Sequence, residues 1–397
     1  MIEGNFEKIK DVIQDSNLNF LIGSGASVPF FDTLGNIENW LTDLVEYAGA
    51  NEDVKKYVKA SIYKNYFDVA MGTNSVIRDY SDLKHEYAAD NSTPDNRLQN
   101  VSLAYYKFLS SINEIVYERR SNTVTKQVNL FTTNIDVFLE KTIEEIGGQF
   151  NDGFHGIFNQ RFSLSNFKKS YFQKSQHYDN VSELPVFNLL KVHGSVTWKK
   201  NGQNIEFDNL ELVEEVKNTI GALTFLDIKG LNDAKWASDN RDLTIKEICD
   251  TVNPAAIPNC DVFIDAYEKL QIVNPTKEKF KDTTFNKNYY EMLRLYSNEL
   301  EKEATSLFVI GFSMADEHIR EITIRAIKSN PTLFVYICSF MPEADNDILA
   351  NFKKDDFDFE KHKNIRLIHP EENFDLRMIN EKLFGKVIEL MKTKDKK

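Results

Sequence analysis

The stretch Asn19-Phe20-Leu21-Ile22-Gly23-Ser24-Gly25-Ala26-Ser27 decides how the rest of the chain is interpreted. An apolar run ends in two glycines separated by one residue, and a small residue and a serine follow. In α/β folds this pattern is typical of a first strand that leads into a phosphate-binding turn, because glycine lets the backbone turn tightly and approach a pyrophosphate. The glycine pair alone is a weak signal, so its meaning depends on the later strand ends.

Composition bounds the class of protein. The chain has 397 residues, 42% of them apolar, and a formal net charge of −13. That length suits one large domain with insertions, or roughly two or three modules. A negative field repels nucleic acid at long range, so the charge argues against direct nucleic-acid binding.

Cysteine usage and hydropathy exclude further classes. Cys249, Cys260 and Cys338 are scattered without a CxxC pair, so the sequence predicts neither a disulfide framework nor a four-cysteine zinc site. No metal is expected, because the histidines are not spaced as a zinc site. No apolar run is long enough to cross a bilayer and no secretory segment opens the chain, so a cytoplasmic protein without a membrane partner is expected.

Periodicity predicts an α/β protein with a doubly wound, mainly parallel, Rossmann-like sheet. Apolar positions at helical spacing predict a helix over 3–15 and a helical insertion over 37–125, while 149–186 is predicted to be loop-rich. A second, loop-rich or helical insertion is expected over 197–305, with a hairpin turn at Asn201-Gly202. The whole of 1–397 is interpreted as a single catalytic domain.

Six short apolar runs are predicted as strands of this sheet. They begin the sheet at 19–22 and continue it at 127–131, 187–192, 306–310, 332–337 and 364–368. Four of them end in small or polar groups: the glycine turn, Thr132-Thr133-Asn134-Ile135-Asp136, His193-Gly194 and Gly311-Phe312-Ser313. The carboxyl ends of parallel strands lie on one edge of a sheet, so these four corners are expected to line one crevice.

These four corners, in this order, resemble the sirtuin family, whose members carry a glycine–alanine–glycine–x–serine turn, a threonine–glutamine–asparagine–x–aspartate corner, a histidine–glycine and a late glycine–x–serine. The resemblance covers the frame of the chain and leaves out the insertions. Three departures separate it from the protein-deacylating members: Val28-Pro29-Phe30-Phe31-Asp32 lacks the arginine of their cofactor loop, the paired CxxC motifs are absent, and Thr133 replaces the glutamine. The phrases Lys191-Val-His-Gly-Ser195 and Ile310-Gly-Phe-Ser-Met-Ala-Asp316 look closer to the sirtuin-like branch of bacterial antiphage defence, whose members hydrolyse NAD.

The resemblance implies catalytic roles for Asn134 and His193. An amide can accept from a water or hydroxyl and donate to a ribose oxygen, and a histidine titrates close enough to neutral pH to act as a general base. Alternative roles are a helix cap for Asn134 and a structural position for His193. His155, also followed by a glycine, is the rival base, but no strand is predicted before it.

The resemblance also implies which residues bind NAD, the substrate. They are Gly23, Ser24, Gly25, Ala26, Ser27, Thr133, Asp136, Gly311 and Ser313. Asp136 and Asp316 could equally cap helices, and the glycines could serve ordinary strand-to-helix turns.

The activity implied is cleavage of NAD to nicotinamide and ADP-ribose in antiphage defence. Such an enzyme needs control, so a homo-oligomer or a partner such as a hexameric DNA-translocase ATPase of the HerA type is expected, with 37–125 and 197–305 as candidate interfaces. The alternatives are a module that senses NAD or a nucleotide without catalysis, and a protein deacylase.

Overall fold

The computed structural model describes residues 6–32, 36–81, 86–119, 124–221, 223–273, 283–368 and 373–394. The strands of this part of the chain are β1 Asn17–Ile22, β2 Gln127–Thr132, β3 Gln149–Asn151, β4 Phe154–His155, β5 Arg161–Phe162, β6 Tyr171–Lys174, β7 Val181–Leu184, β8 Val186–Lys191, β9 Gly194–Asn201, β10 Asn204–Phe207, β11 Leu270–Ile272, β12 Thr305–Ile310, β13 Leu333–Cys338 and β14 Ile365–Ile368.

The α-helices of the same residues are α1 Phe6–Asp15, α2 Ile37–Glu46, α3 Glu52–Ala70, α4 Asn74–Asp79, α5 Pro94–Tyr117, α6 Phe138–Ile146, α7 Glu211–Ile220, α8 Ile228–Asp239, α9 Ile245–Asp250, α10 Asp261–Tyr267, α11 Thr283–Leu300, α12 Glu317–Ser329, α13 Pro342–Lys353, α14 Leu376–Ile379 and α15 Gly385–Lys394. A π-helical turn, Asn380–Phe384, joins α14 to α15. None of the described helices is long and apolar enough to cross a membrane.

A seven-stranded sheet in the order β14-β13-β12-β1-β2-β8-β3 forms the centre of the molecule, and its strand pairs are parallel. The chain runs from β1 outward in one direction to β2 and β8, and later in the other direction to β12, β13 and β14. The predicted doubly wound, mainly parallel α/β fold is therefore confirmed. Its topological switch point lies between β1 and β12.

Helices cover both faces of the sheet because successive strand residues point to opposite sides. Phe20 of β1 packs in the cluster that includes the apolar faces of α1, α5, α6 and α15. Its neighbour Leu21 packs in the other cluster, with apolar residues of α11, α12 and α13. Both faces of β1 and β12 are buried, and for this reason their sequences are nearly continuous apolar runs.

A row of asparagines crosses the sheet at one register level. Asn19 pairs with Asn129, Asn129 with Asn188, and Asn188 with Asn151. Asn129 Nδ2 donates to Asn19 Oδ1 at 2.8 Å, and Asn188 Nδ2 donates to Asn129 Oδ1 at 2.9 Å. A one-residue slip of any strand would leave these buried amides unsatisfied, so the row helps to fix the register.

The segment 149–186, predicted to be loop-rich, contains ordered strands instead. β3 extends the central sheet, so the sheet has one strand more than the six predicted. β4 and β5 join β9, β10 and β11 in a second, five-stranded sheet, and β6 pairs with β7. The expectation that no strand precedes His155 is therefore wrong, because β3 lies before it and His155 itself ends β4.

The two predicted insertions pack against each other. Helices α2 to α5 lie within 37–125, as predicted, and α7 to α10 lie within 197–305. Trp40 Nε1 donates to Leu243 O at 2.7 Å, and Tyr63 stacks on Tyr267 with ring centroids 4.2 Å apart. Within 197–305 the predicted hairpin at Asn201-Gly202 is confirmed, as β9 and β10 pair antiparallel across it.

Candidate active site

Four strand ends lie at the carboxyl edge of the central sheet, and hydrogen bonds join them in pairs. The corner after β1 contacts the corner after β12, where Gly25 N donates to Gly311 O at 2.9 Å. The corners after β2 and β8 are joined by Val192 N, which donates to Thr132 O at 2.8 Å. This edge, at a topological switch point, is where open α/β sheets bind ligands.

Glycines let the first and last of these corners approach each other. A Cβ added to Gly23 would lie 2.5 Å from Gly311 O, and one added to Gly311 would lie 2.3 Å from Ala26 N. Gly311 also has a φ of 62°, a region that residues with a side chain rarely adopt. The residues Ser24–Ser27 form a 3₁₀ turn, and the α-helix that follows begins only at Ile37.

Asn134 is held by a buried hydrogen-bonded cluster. Its Nδ2 donates to Ser27 Oγ at 3.2 Å and lies 3.5 Å from the hydroxyl of Tyr105, a residue of α5. Ser27 Oγ lies 3.0 Å from the same Tyr105 hydroxyl and donates to Asp136 Oδ2 at 2.8 Å. Three corner residues and one residue of the helical insertion therefore meet at a single point.

The protons in this cluster fix the direction of each hydrogen bond. An ionised Asp136 only accepts, so it takes the single proton of Ser27, and Ser27 Oγ can then only accept from Tyr105 and Asn134. The amide of Asn134 must therefore turn its Nδ2 toward Ser27. Its Oδ1 is left buried without a hydrogen-bond partner in the described residues, and Asn134 as a whole is only 6% exposed. This oxygen can accept a hydrogen bond from a ligand hydroxyl or from a positioned water, which would satisfy it.

Lys191 supplies the positive charge beneath this cluster. Its Nζ donates to the main-chain oxygen of Asp136 and, at 2.9 Å, to Glu140 Oε1. Burial raises the pKa of Asp136, and the charge of Lys191 and the hydrogen bond from Ser27 oppose that increase. Lys191 thus favours the ionised Asp136 that the direction of the hydrogen bonds requires.

His193 meets a carboxylate that belongs to the last corner. Its Nε2 lies 3.3 Å from Asp316 Oδ2, which is ion-pair range, although the angle is not that of a hydrogen bond. The sheet order places β8 three strands from β12, roughly 14 Å away at about 4.8 Å per strand. These side chains therefore meet across the ends of β1 and β2, which lie between them in the sheet.

The main chain around His193 is also fixed. Val273 N donates to His193 O at 2.8 Å, and Gly194, with a φ of 78°, lies against β11. A Cβ on Gly194 would lie 2.1 Å from Gln271 O. By contrast, the rival His155 is exposed at the end of β4 in the second sheet.

The remaining residues predicted to bind NAD are distributed around the same edge. Ser24 and Ser313 are exposed and Thr133 and Gly311 are half-buried, whereas Ala26 and Ser27 are buried. Because Ser27 gives its proton to Asp136, Ser24 carries the exposed hydroxyl of this turn. In the described residues there is no cluster of histidine, cysteine, aspartate or glutamate that could hold a metal ion.

Sequence reasoning missed two contributors and gave a third only one of its roles. Tyr105 looks like one more apolar position of a helix and carries no local motif. Lys191 opens the phrase Lys191-Val-His-Gly-Ser195, but no role was predicted for it there. Asp316 does cap α12, since its Oδ1 accepts from Ile319 N at 3.1 Å, but its other oxygen faces His193. The phrase Gly311-Phe-Ser-Met-Ala-Asp316 is the sequence motif that contains it, but the motif does not show that its last residue faces His193.

Comparisons with known proteins add little to this geometry. No family model and no curated protein matches the chain. A solved structure from work on the structural basis for the mechanism and regulation of Sir2 enzymes matches 99% of this chain and 100% of that one, with 12% identity and a TM-score of 0.35. At that level of similarity the function has to be argued from the site itself.

Proposed function

We propose that this protein is an NAD hydrolase that cleaves NAD to nicotinamide and ADP-ribose. The observation that carries the proposal is the pairing of two groups on one edge of the sheet: a buried Asn134 Oδ1 without a partner in the described residues, and a half-buried His193 beside Asp316. One can hold a ribose hydroxyl or a water, and the other can accept a proton.

The chemistry needs little more than these groups. Nicotinamide leaves from the ribose carbon with the bonding electron pair and becomes neutral, and a water adds its oxygen to that carbon. The proton that the water loses goes to His193. Asn134 Oδ1 fits the role of fixing the water or a ribose hydroxyl, because Ser27 and Tyr105 already occupy its Nδ2.

Substrate binding is proposed for the corner after β1 together with that after β12. Ser24 and Ser313 offer exposed hydroxyls. The backbone at the switch point carries no side chains at three positions, so a ligand can approach it; these positions are Gly23, Gly25 and Gly311. Ala26, Thr133 and Asp136 complete the proposed set, Asp136 acting through Ser27.

The test is nicotinamide release from NAD by wild type, Asn134→Ala, His193→Ala and the matched control His155→Ala. We expect release by wild type and by His155→Ala, and a loss of roughly a hundredfold or more in the other two. Titration calorimetry with NAD on Asn134→Ala separates binding from catalysis. If the wild type binds NAD and leaves it intact even with its partner present, the sensing module is the correct function; transfer of an acyl group to NAD would favour a deacylase.

We further propose, from the sequence resemblance alone, a role in antiphage defence by NAD depletion, with control by self-assembly or by an ATPase of the HerA type. Residues 37–125 and 197–305 were the candidate interfaces. Their facing sides are occupied by each other, as in the ion pair between Lys59 and Glu268. Only their outward faces remain for a partner.

A further inference from the structure

We propose that Asp316 is a positioning residue that fixes the tautomer of His193, so that Nδ1 is the nitrogen that accepts the proton. The proposal rests on the hydrolase function proposed above and names the atom that performs its base step. It starts from the 3.3 Å contact between Asp316 Oδ2 and His193 Nε2.

A carboxylate beside one imidazole nitrogen favours the tautomer with its proton on that nitrogen. Asp316 is 7% exposed, so its charge is poorly screened by solvent. With the proton on Nε2, the lone pair lies on Nδ1, with which no described residue forms a hydrogen bond. Nε2 itself is buried, so the 19% exposure of the side chain belongs to its other atoms.

The helix cap keeps Asp316 in place for this task. Asp316 Oδ1 accepts from Ile319 N, the main-chain donor at the start of α12, and this contact holds the carboxylate with Oδ2 toward the imidazole. A second titratable group beside the ring is Tyr289 of α11, whose ring centroid lies 6.3 Å away. Burial, with the charge of Asp316, raises the pKa of Tyr289, so the phenol stays neutral and brings no charge to His193.

The variant that tests this is Asp316→Asn, because asparagine caps helices about as well as aspartate and the fold should persist. The matched control is Asp227→Asn, since Asp227 caps α8 in the same way by accepting from Gly230 N at 2.9 Å. Nitrogen NMR of the imidazole reports the tautomer of His193 without any turnover.

We expect His193 to carry its proton on Nε2 in wild type and in Asp227→Asn. In Asp316→Asn the tautomer population should shift toward Nδ1–H, because the carboxylate that favours a proton on Nε2 is lost. An unchanged tautomer population in Asp316→Asn would overturn the proposal. Because this measurement needs no hydrolysis, its result can be distinguished from a failure of the proposed function.

Kinetics give the second readout. In Asp316→Asn we expect kcat to fall about 10-fold to 100-fold with little change in KM. In a His193→Ala background the same substitution should have no further effect. An equal loss in that background would show that Asp316 acts through the fold and would overturn the proposal.

Discussion

At Asn134 the single proton of Ser27 decides which end of the amide is left without a hydrogen-bond partner in the described residues. Ser27 donates to Asp136, so it must accept from both Tyr105 and Asn134. Reversing the amide would place Oδ1 against Ser27 Oγ, two acceptors in contact, and would cost more than one hydrogen bond. The orientation of the proposed catalytic amide thus depends on Ser27, Asp136 and Tyr105.

The substitution Tyr105→Phe tests this dependence. It removes the hydroxyl that donates to Ser27 and supports Asn134 Nδ2, but leaves the ring stacked on Phe138, with centroids 5.2 Å apart. We expect kcat for NAD hydrolysis to fall about tenfold, since the amide loses one of the bonds that orient it. The measurement is steady-state nicotinamide release, with thermal unfolding as the check on the fold.

Tyr296→Phe is the matched control for this variant. It also deletes a buried tyrosine hydroxyl, which lies 2.8 Å from Thr323 Oγ1 of α12 and, within the described part of the chain, forms no hydrogen bond with Ser27, Asn134 or Asp136. It should lower the melting temperature without changing kcat. Equal kcat in the two variants would contradict the orienting role of Tyr105.

The sequence could single out Asn134 and His193 as candidates because each follows an apolar strand in a recognisable phrase. It could not identify Tyr105, because a tyrosine on the buried side of α5 is indistinguishable from ordinary core packing. It gave Asp316 its capping role, which is correct, and lacked the second role, because the meeting with His193 depends on two strands separated by about 120 residues of chain. Local patterns report strand ends; they do not report which side chains meet there.

At the scale of the elements, the turn after β1 and the turn after β12 behave as one unit. Gly23 N donates to Ile310 O at 2.9 Å, and Gly25 N donates to Gly311 O at the same distance. The sequence-based reason for the glycines was approach to a pyrophosphate. The structure adds a second reason, since the two turns approach each other too closely for any side chain between them.

A pair of glycine-to-alanine variants separates backbone strain from this packing. Gly311 and Gly202 have nearly the same φ, 62° and 61°, but a Cβ on Gly202 would meet nothing within 4 Å. We expect Gly202→Ala to cost about 1 kcal/mol of unfolding free energy, from strain alone. Gly311→Ala should cost at least about 2 kcal/mol more, because its Cβ would strike the backbone of Ala26. Urea unfolding measures both losses of unfolding free energy. Equal losses would contradict the prediction, because they would show that the two turns can move apart to accommodate the added Cβ.

Six of the seven strands of the central sheet were predictable, because strands buried on both faces are continuous apolar runs, as at β12; the three-residue edge strand β3 was missed. The second sheet was predictable only at the hairpin of β9 and β10, because its other strands are short or partly exposed: β4 and β5 have two residues each. Their apolar residues pack around Trp198, with Phe162 at 4.9 Å and Phe154 at 5.9 Å between ring centroids. Such pairing depends on contacts with β9 and β10, which no local window contains.

At the scale of the whole molecule, the proposed self-assembly has to overcome a net charge of −13 on every copy. The described surface does offer apolar groups outside the packed insertions, in the loop between β4 and β5, where Ile157 is 87% exposed and Phe158 is 94% exposed. Association through apolar contact between like-charged copies should strengthen as salt screens the repulsion.

The expected result is a particle heavier than the 45.9 kDa monomer, with a share that grows between low and high ionic strength. Sedimentation velocity at several protein and salt concentrations measures it, and the double variant Ile157→Ser, Phe158→Ser should reduce the heavier species without altering the melting temperature, because both side chains are exposed. The variant Val181→Ser is the control for apolar area lost elsewhere, because Val181 is exposed on β7, outside both insertions. A monomer at every salt and NAD concentration, and with co-expressed neighbouring proteins, would contradict control by assembly and leave the activity to be regulated within the chain.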